Sequence, residues 1–208
     1  MEEPIEETII SSEDVPSESA AHTEQSDSKN NFRALLWELI QLVLIALVTY
    51  FSINAISERI KVESISMQPS LEPGDLVIVN RLAYRLRQPQ RGDIVVFEHP
   101  TNPYQGPPYI KRILGVPGDT VEVAENIVSV NGTPLNEPFT AEQPNYNGTW
   151  EVPDDSLFVL GDNRNRSSDS HIWGMVPIEN VIGKAVIVYW PPGHWQIVQN
   201  PYQNESRP

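Results

Sequence analysis

The sequence predicts a mainly β domain with a small inserted subdomain, preceded by one transmembrane helix. Three observations carry that expectation. A single long uncharged run lies near the N-terminus. A series of short apolar runs follows it, separated by Gly-Asp and Asn-Gly steps. Nineteen prolines and eleven glycines in 208 residues favour many turns over long helices.

The first 31 residues hold nine acids (Glu2, Glu3, Glu6, Glu7, Glu13, Asp14, Glu18, Glu24 and Asp27) against Lys29, and so contribute −8 of the formal charge of −14. An acidic, Ser-rich stretch with almost no aromatic residues buries too little apolar surface to offset its ordering entropy, so residues 1–33 are expected to be a disordered tail. The charge balance excludes a nucleic-acid partner, which needs a basic face. From Leu39 to Ser57 the run LIQLVLIALVTYFSINAIS carries no charge. Its length approaches the roughly 20 residues that a helix needs to cross a hydrocarbon core, and the anchor is placed at 34–58. A buried core helix and a cleaved signal peptide are the competing readings; the length of the run and the preceding tail count against the second. Lys29 and Arg33 flank one end of the run and Arg59 and Lys61 the other, so the charge rule for orientation ends in a tie.

Beyond Val62 the texture is β. Strands are expected at Leu76–Val79, Ile94–Phe97, Tyr109–Leu114, Thr120–Val123, Ile127–Val130, Leu157–Leu160 and Val181–Trp190. Gly74-Asp75, Gly92-Asp93 and Gly118-Asp119 each open a strand: the glycine supplies positive φ and the aspartate caps the turn. Asn131-Gly132 marks a hairpin. Residues 134–154, rich in Pro and Asn, read as a long loop or an irregular insertion. The β domain is expected to span 59–193 with an inserted subdomain near 119–156, and 194–208 to form an extended strap.

Three runs hold residues capable of chemistry. In Ser64-Ile65-Ser66-Met67-Gln68-Pro69-Ser70-Leu71, two serines at i and i+2 point to one face if the backbone is extended. One hydroxyl can then attack an amide while the other helps to bind the oxyanion. In Tyr109–Asp119, period two puts Lys111 on the face of Tyr109 and Ile113, and Arg112 opposite with Ile110 and Leu114. A lysine inside an apolar strand is pushed toward the neutral amine, unless it snorkels to water from an edge. Of the four lysines, Lys184 is the one structural rival. The third run, Gly161–Gly174, gathers two acids, two arginines and several hydroxyls beside Trp173, which suits a buried polar network.

Together these runs resemble the type I signal peptidases: SM-x-P-(S/T)-L at Ser66–Leu71, RGDIVVF at Arg91–Phe97, YIKR-x-x-G-x-PGD at Tyr109–Asp119, and GDNR-x-x-S-x-DS-x-x-WG at Gly161–Gly174. The resemblance covers about residues 34–190. It implies Ser66 as nucleophile, Lys111 as general base, Ser64 as oxyanion donor and Ser167 as a hydrogen-bond partner that orients the lysine amine. It further implies a network of Arg112, Asp162, Arg164 and Asp169, and substrate pockets lined by Val62, Met67, Leu71 and Ile110. Partners are then preprotein signal peptides ending in a small-x-small site, the lipid bilayer and the protein-export translocon. The N-terminus is cytosolic and the catalytic domain lies across the cell membrane or an internal membrane. Ile65 stands where many members have glycine, and His171 where many have arginine.

Other chemistries find less support. No cysteine is present, which excludes disulfides and thiol chemistry; no histidine–carboxylate cluster has metal spacing, and no cofactor is expected. Among His22, His99, His171 and His194, only His171 is placed to serve a Ser-His-Asp hydrolase, and no G-x-S-x-G elbow is present. An S-x-x-K match at Ser26–Lys29 lies in the acidic tail. Two alternatives stay open. One is a self-cleaving, repressor-like Ser-Lys protease, which the membrane span disfavours. The other is a membrane-tethered β adaptor without chemistry.

Overall fold

The computed structural model describes residues 21–101 and 106–203, in two units divided at Phe51/Ser52. The first unit belongs to helix α1 (Ala21–Ile56). Residues 31–56 of α1 are long and apolar enough to cross a membrane, about 39 Å at 1.5 Å per residue. Their large apolar side chains, from Phe32 through Trp37 and Phe51 to Ile56, are exposed on all faces. A helix that is apolar all round is suited to an apolar solvent. The helix reaches back to Ala21, where a disordered tail to residue 33 was expected: Ala21–Arg33 contains no proline or glycine, so nothing interrupts a helix propagating backward from the apolar run. Residues 1–20 of that tail, and 204–208 of the C-terminal strap, lie outside the described residues.

The second unit is built on an antiparallel sheet. Its strands are β1 (Ser57–Lys61), β2 (Leu76–Asn80), β3 (Ile94–Phe97), β4 (Tyr109–Gly115), β9 (Ser156–Leu160), β10 (Val176–Pro177), β11 (Val181–Trp190) and β12 (Gln196–Ile197). The order is β1-β2-β11-β3-β4-β9-β10, with β12 on β11. A second sheet, ordered β7-β6-β5-β8, fills the stretch between β4 and β9 with β5 (Thr120–Ala124), β6 (Ile127–Val130), β7 (Thr133–Pro134) and β8 (Gly148–Glu151). Each of the seven expected strands occurs within one residue of its expected bounds.

β8 forms inside a stretch read as loop. Trp150 pairs with Val121 and packs its ring 5.0 Å from Phe158, so tertiary burial overrides the local Pro/Asn composition. Glu125 and Asn126, both at positive φ, make a hairpin turn that carries no Asn-Gly signature; Asn131-Gly132 makes the expected one. Two of the Gly-Asp steps also behave as expected: Asp75 accepts from the amide of Glu72, and Asp119 from the amide of Val116. Asp93 is instead fully buried and accepts from Tyr84, Lys184 and Asn200. Lys184 is therefore committed to an ion pair with Asp93, in the part of the sheet where Asn200 fastens the C-terminal strap.

Three apolar clusters lie against the sheets. Val62, Met67, Leu71, Val77, Val79, Ile94, Val96, Ile110, Ala185 and Val188 form one of them. Leu114, Phe158 and Leu160 join the inserted sheet in the second, and Val95, Phe97, Ile113, Val159 and their neighbours form the third. β4 is buried along nearly its whole length, and its two cations, Lys111 and Arg112, are each only 3% exposed.

Candidate active site

Ser66 sits in a 3-10 turn, Ile65–Met67, not on extended backbone. The turn is clamped from outside: the amide of Asn163 donates to the Ser66 carbonyl at 3.0 Å, and Asn163 Nδ2 to the Ile65 carbonyl at 3.1 Å. The expectation that Ser64 and Ser66 face the same way survives the change of backbone, since their Oγ atoms lie 3.0 Å apart.

On β4, Lys111 alternates with Arg112 as the strand period requires. Its Nζ lies 2.7 Å from Ser66 Oγ and donates to the Ile110 carbonyl at 3.0 Å. The residue is 3% exposed, and the Tyr109 ring lies 5.7 Å from the amine. Burial lowers the amine from an ordinary lysine value to about 8, against the opposing pull of the Asp169 and Asp162 carboxylates. A lysine of that kind is a base near neutral pH, already in hydrogen-bond reach of a hydroxyl whose proton must leave for it to attack. The two serines and Lys111 open on a cleft of about 340 Å³, walled by Ile60, Tyr109, Ile110 and Pro107–Pro108 and edged by Glu63 and Arg166.

The whole of this arrangement falls within residues 36–190, which match the family model described as Signal peptidase, peptidase S26. The chain belongs to this signal peptidase family. It is similar to Signal peptidase I of Leptolyngbya laminosa, at 42% identity over 184 residues covering 85% of this chain and 87% of that protein. It is also similar to Probable signal peptidase I-1 of Synechocystis sp., at 42% identity over 164 residues covering 76% and 81%. A crystal structure of a signal peptidase I from Enterococcus faecalis aligns with 35% identity and a TM-score of 0.43, over 47% of this chain and 97% of its own. The protein is an enzyme, a serine peptidase that removes signal peptides.

The other expected site residues depart from the sequence expectation in several places. Arg112 grips Asp162 with both Nε and Nη2, at 2.8 and 2.7 Å, as expected of the network. Arg164 does not join an acid of its own loop. Both its terminal nitrogens bond Glu137 of the inserted segment, at 2.6 Å each, and its Nε donates to the Gly161 carbonyl. Asp169 accepts from the Gly161 amide at 2.9 Å and pairs with His171 Nδ1 at 2.6 Å. His171 also stacks on Tyr146, with ring centroids 3.9 Å apart.

Ser167 is buried, but its Oγ has no hydrogen-bond partner among the described residues. The expected bond to the lysine amine is not formed; the amine bonds Ser66 Oγ and the Ile110 carbonyl. Ser167 nevertheless lies close to the Ser66 turn: a Cβ at Gly161 would collide with both Ser167 Oγ and the Ser66 carbonyl. Of the four expected pocket residues, only Ile110 lines the cleft. Val62 and Met67 are buried in the first core cluster; Leu71, in the same cluster, borders a separate cavity beside Ser70 and Arg112. Glu137, Asn163 and Tyr146 were not found from sequence. Glu137 stands as a lone acid between Asn136 and Pro138, and nothing local in Asn136-Glu137-Pro138 points across to Arg164.

Proposed function

We propose that Ser66 is the nucleophile and Lys111 the general base of signal-peptide removal, and that α1 holds the enzyme in a membrane. The observation that carries this reading is the buried amine of Lys111 at 2.7 Å from Ser66 Oγ. The neutral amine takes the Ser66 proton as Oγ bonds to the scissile carbonyl carbon. The carbonyl oxygen becomes an oxyanion, which the hydroxyl of Ser64 and the amide of Ser66 are positioned by sequence to receive. As the C–N bond breaks, the Lys111 ammonium passes its proton to the departing amine, the new N-terminus of the mature protein. Water then gives a proton to Lys111 and attacks the acyl ester; the signal peptide leaves as a carboxylic acid and Ser66 regains its hydrogen.

The substrates are exported preproteins with an N-terminal apolar helix and a small-x-small site, which suits a shallow cleft walled by Ile60 and Ile110. Anchoring enzyme and substrate in one bilayer raises their effective concentration, and the export translocon delivers the substrate there. The N-terminus is cytosolic and the catalytic unit lies on the far side of the cell membrane or an internal one. The test is cleavage of one labelled preprotein by full-length enzyme in detergent. Ser66→Ala and Lys111→Arg should be inactive yet folded, because arginine stays protonated. Ser64→Ala should lose about 10²–10³ in rate. A folded and active Lys111→Arg would sink the mechanism.

A further inference from the structure

The loop that clamps the Ser66 turn is held by two arginines, and both are covered by one arm of the inserted segment. Asn163 grips the Ser66 and Ile65 carbonyls. On one side of it, Asp162 is held in the fork of Arg112, and on that guanidinium the Phe139 ring sits 4.1 Å away. On the other side, Arg164 is held by Glu137 at two points while its Nε fixes the Gly161 carbonyl. The same arm makes three more hydrogen bonds to the loop. The Asn145 amide donates to Asn165 Oδ1, and Asn165 Nδ2 donates to the Gln143 carbonyl and to Glu142. Arg164 is 1% exposed, and Glu137 is the only acid that forms an ion pair with it among the described residues.

We propose that Glu137 is a positioning residue for catalysis: through Arg164 it holds the 161–164 loop, and through Asn163 it fixes the turn that keeps Ser66 Oγ on Lys111. The inference rests on the roles of Ser66 and Lys111 given above. An arginine buried without a counter-charge is costly, so removing the carboxylate makes the loop open until the guanidinium reaches water. That opening carries Asn163 away from the Ser66 carbonyl. It also admits water to the Lys111 amine, whose usefulness as a base depends on burial. Substrate contacts along Ile60, Tyr109 and Ile110 lie outside this chain of bonds, so binding is affected less than turnover.

The experiment uses full-length enzyme in detergent with one labelled preprotein, normalised to folded enzyme, across a pH series. Three variants are compared with wild type: Glu137→Gln, the double variant Glu137→Met with Arg164→Met, and Ser66→Ala. Glu137→Gln keeps the shape and removes the charge. Its kcat should fall about 10–100-fold with little change in KM, since a misplacement of about 1 Å costs on the order of 10². The acid limb of its pH profile should move to higher pH, which a loss of stability alone does not produce. The double variant exchanges a buried ion pair for an apolar one, a change that commonly leaves the fold as stable or more so. It should keep its melting temperature and still lose kcat, and it decides the question if Glu137→Gln does not fold. Wild-type kcat with an unmoved acid limb in a folded variant overturns the proposal. An active Ser66→Ala would instead overturn the catalytic reading on which it rests.

Discussion

Raising the pH should activate this enzyme through Lys111 alone, and by a calculable amount. Burial lowers the amine from 10.5 to about 8, which corresponds to about 3 kcal/mol disfavouring the charged form. With a value near 8, about one-tenth of the enzyme carries the neutral amine at pH 7, about half at pH 8 and about nine-tenths at pH 9. The kcat/KM for a preprotein should therefore climb about tenfold between pH 7 and 9 and then level off. Stability follows with a definite sign. The unfolded chain binds the lysine proton more tightly than the folded one, so stability rises with pH between about 8 and 10.5 and is flat below that window. At pH 7, Lys111→Met should then be dead but more stable than wild type, by up to about 3 kcal/mol. The assay pairs a pH–rate profile with thermal melts of the two proteins. A flat profile from pH 6.5 to 9, or a less stable Lys111→Met at pH 7, would refute the claim that burial makes this lysine a base.

Two further outcomes follow from the geometry. Gly161→Ala should cost at least tenfold in kcat, because the new Cβ must displace both Ser167 and the Ser66 carbonyl; wild-type turnover in a folded variant would show that the two segments are not so tightly fitted. His171→Ala should lower the melting temperature through loss of the Asp169 bond and the Tyr146 stack, with only a modest change in rate; a folded, inactive His171→Ala would point to a histidine base and against Lys111.

Local signals made much of this molecule readable. Apolar runs placed seven strands, three of them opened by Gly-Asp steps, and strand period alone separated Lys111 from Arg112 onto opposite faces of β4. What escaped were contacts made over long separations or against local propensity. The 3-10 turn at Ser66 is held at its carbonyls by the Asn163 amide and side chain, the latter across 98 residues of sequence, which no feature of Ser64-Ile65-Ser66 announces. Arg164 looked like a partner for the acids of its own loop. It pairs instead with Glu137 of the inserted segment, while Asp162 takes Arg112 and Asp169 takes Gly161 and His171. Val62, Met67 and Leu71, which the resemblance placed at the substrate pockets, do not line the cleft beside Ser66; they pack in the first core cluster, with Leu71 also bordering a second cavity.

The most direct test of the central claim is to catch the acyl-enzyme. Full-length enzyme mixed with a preprotein peptide at saturating concentration and quenched with acid within the first turnover should carry the signal-peptide segment as an ester on Ser66, read by mass spectrometry of the digested protein. The adduct should be absent from Ser66→Ala and from Lys111→Arg. An adduct on another residue, or its formation in a folded Lys111→Arg, would contradict the account.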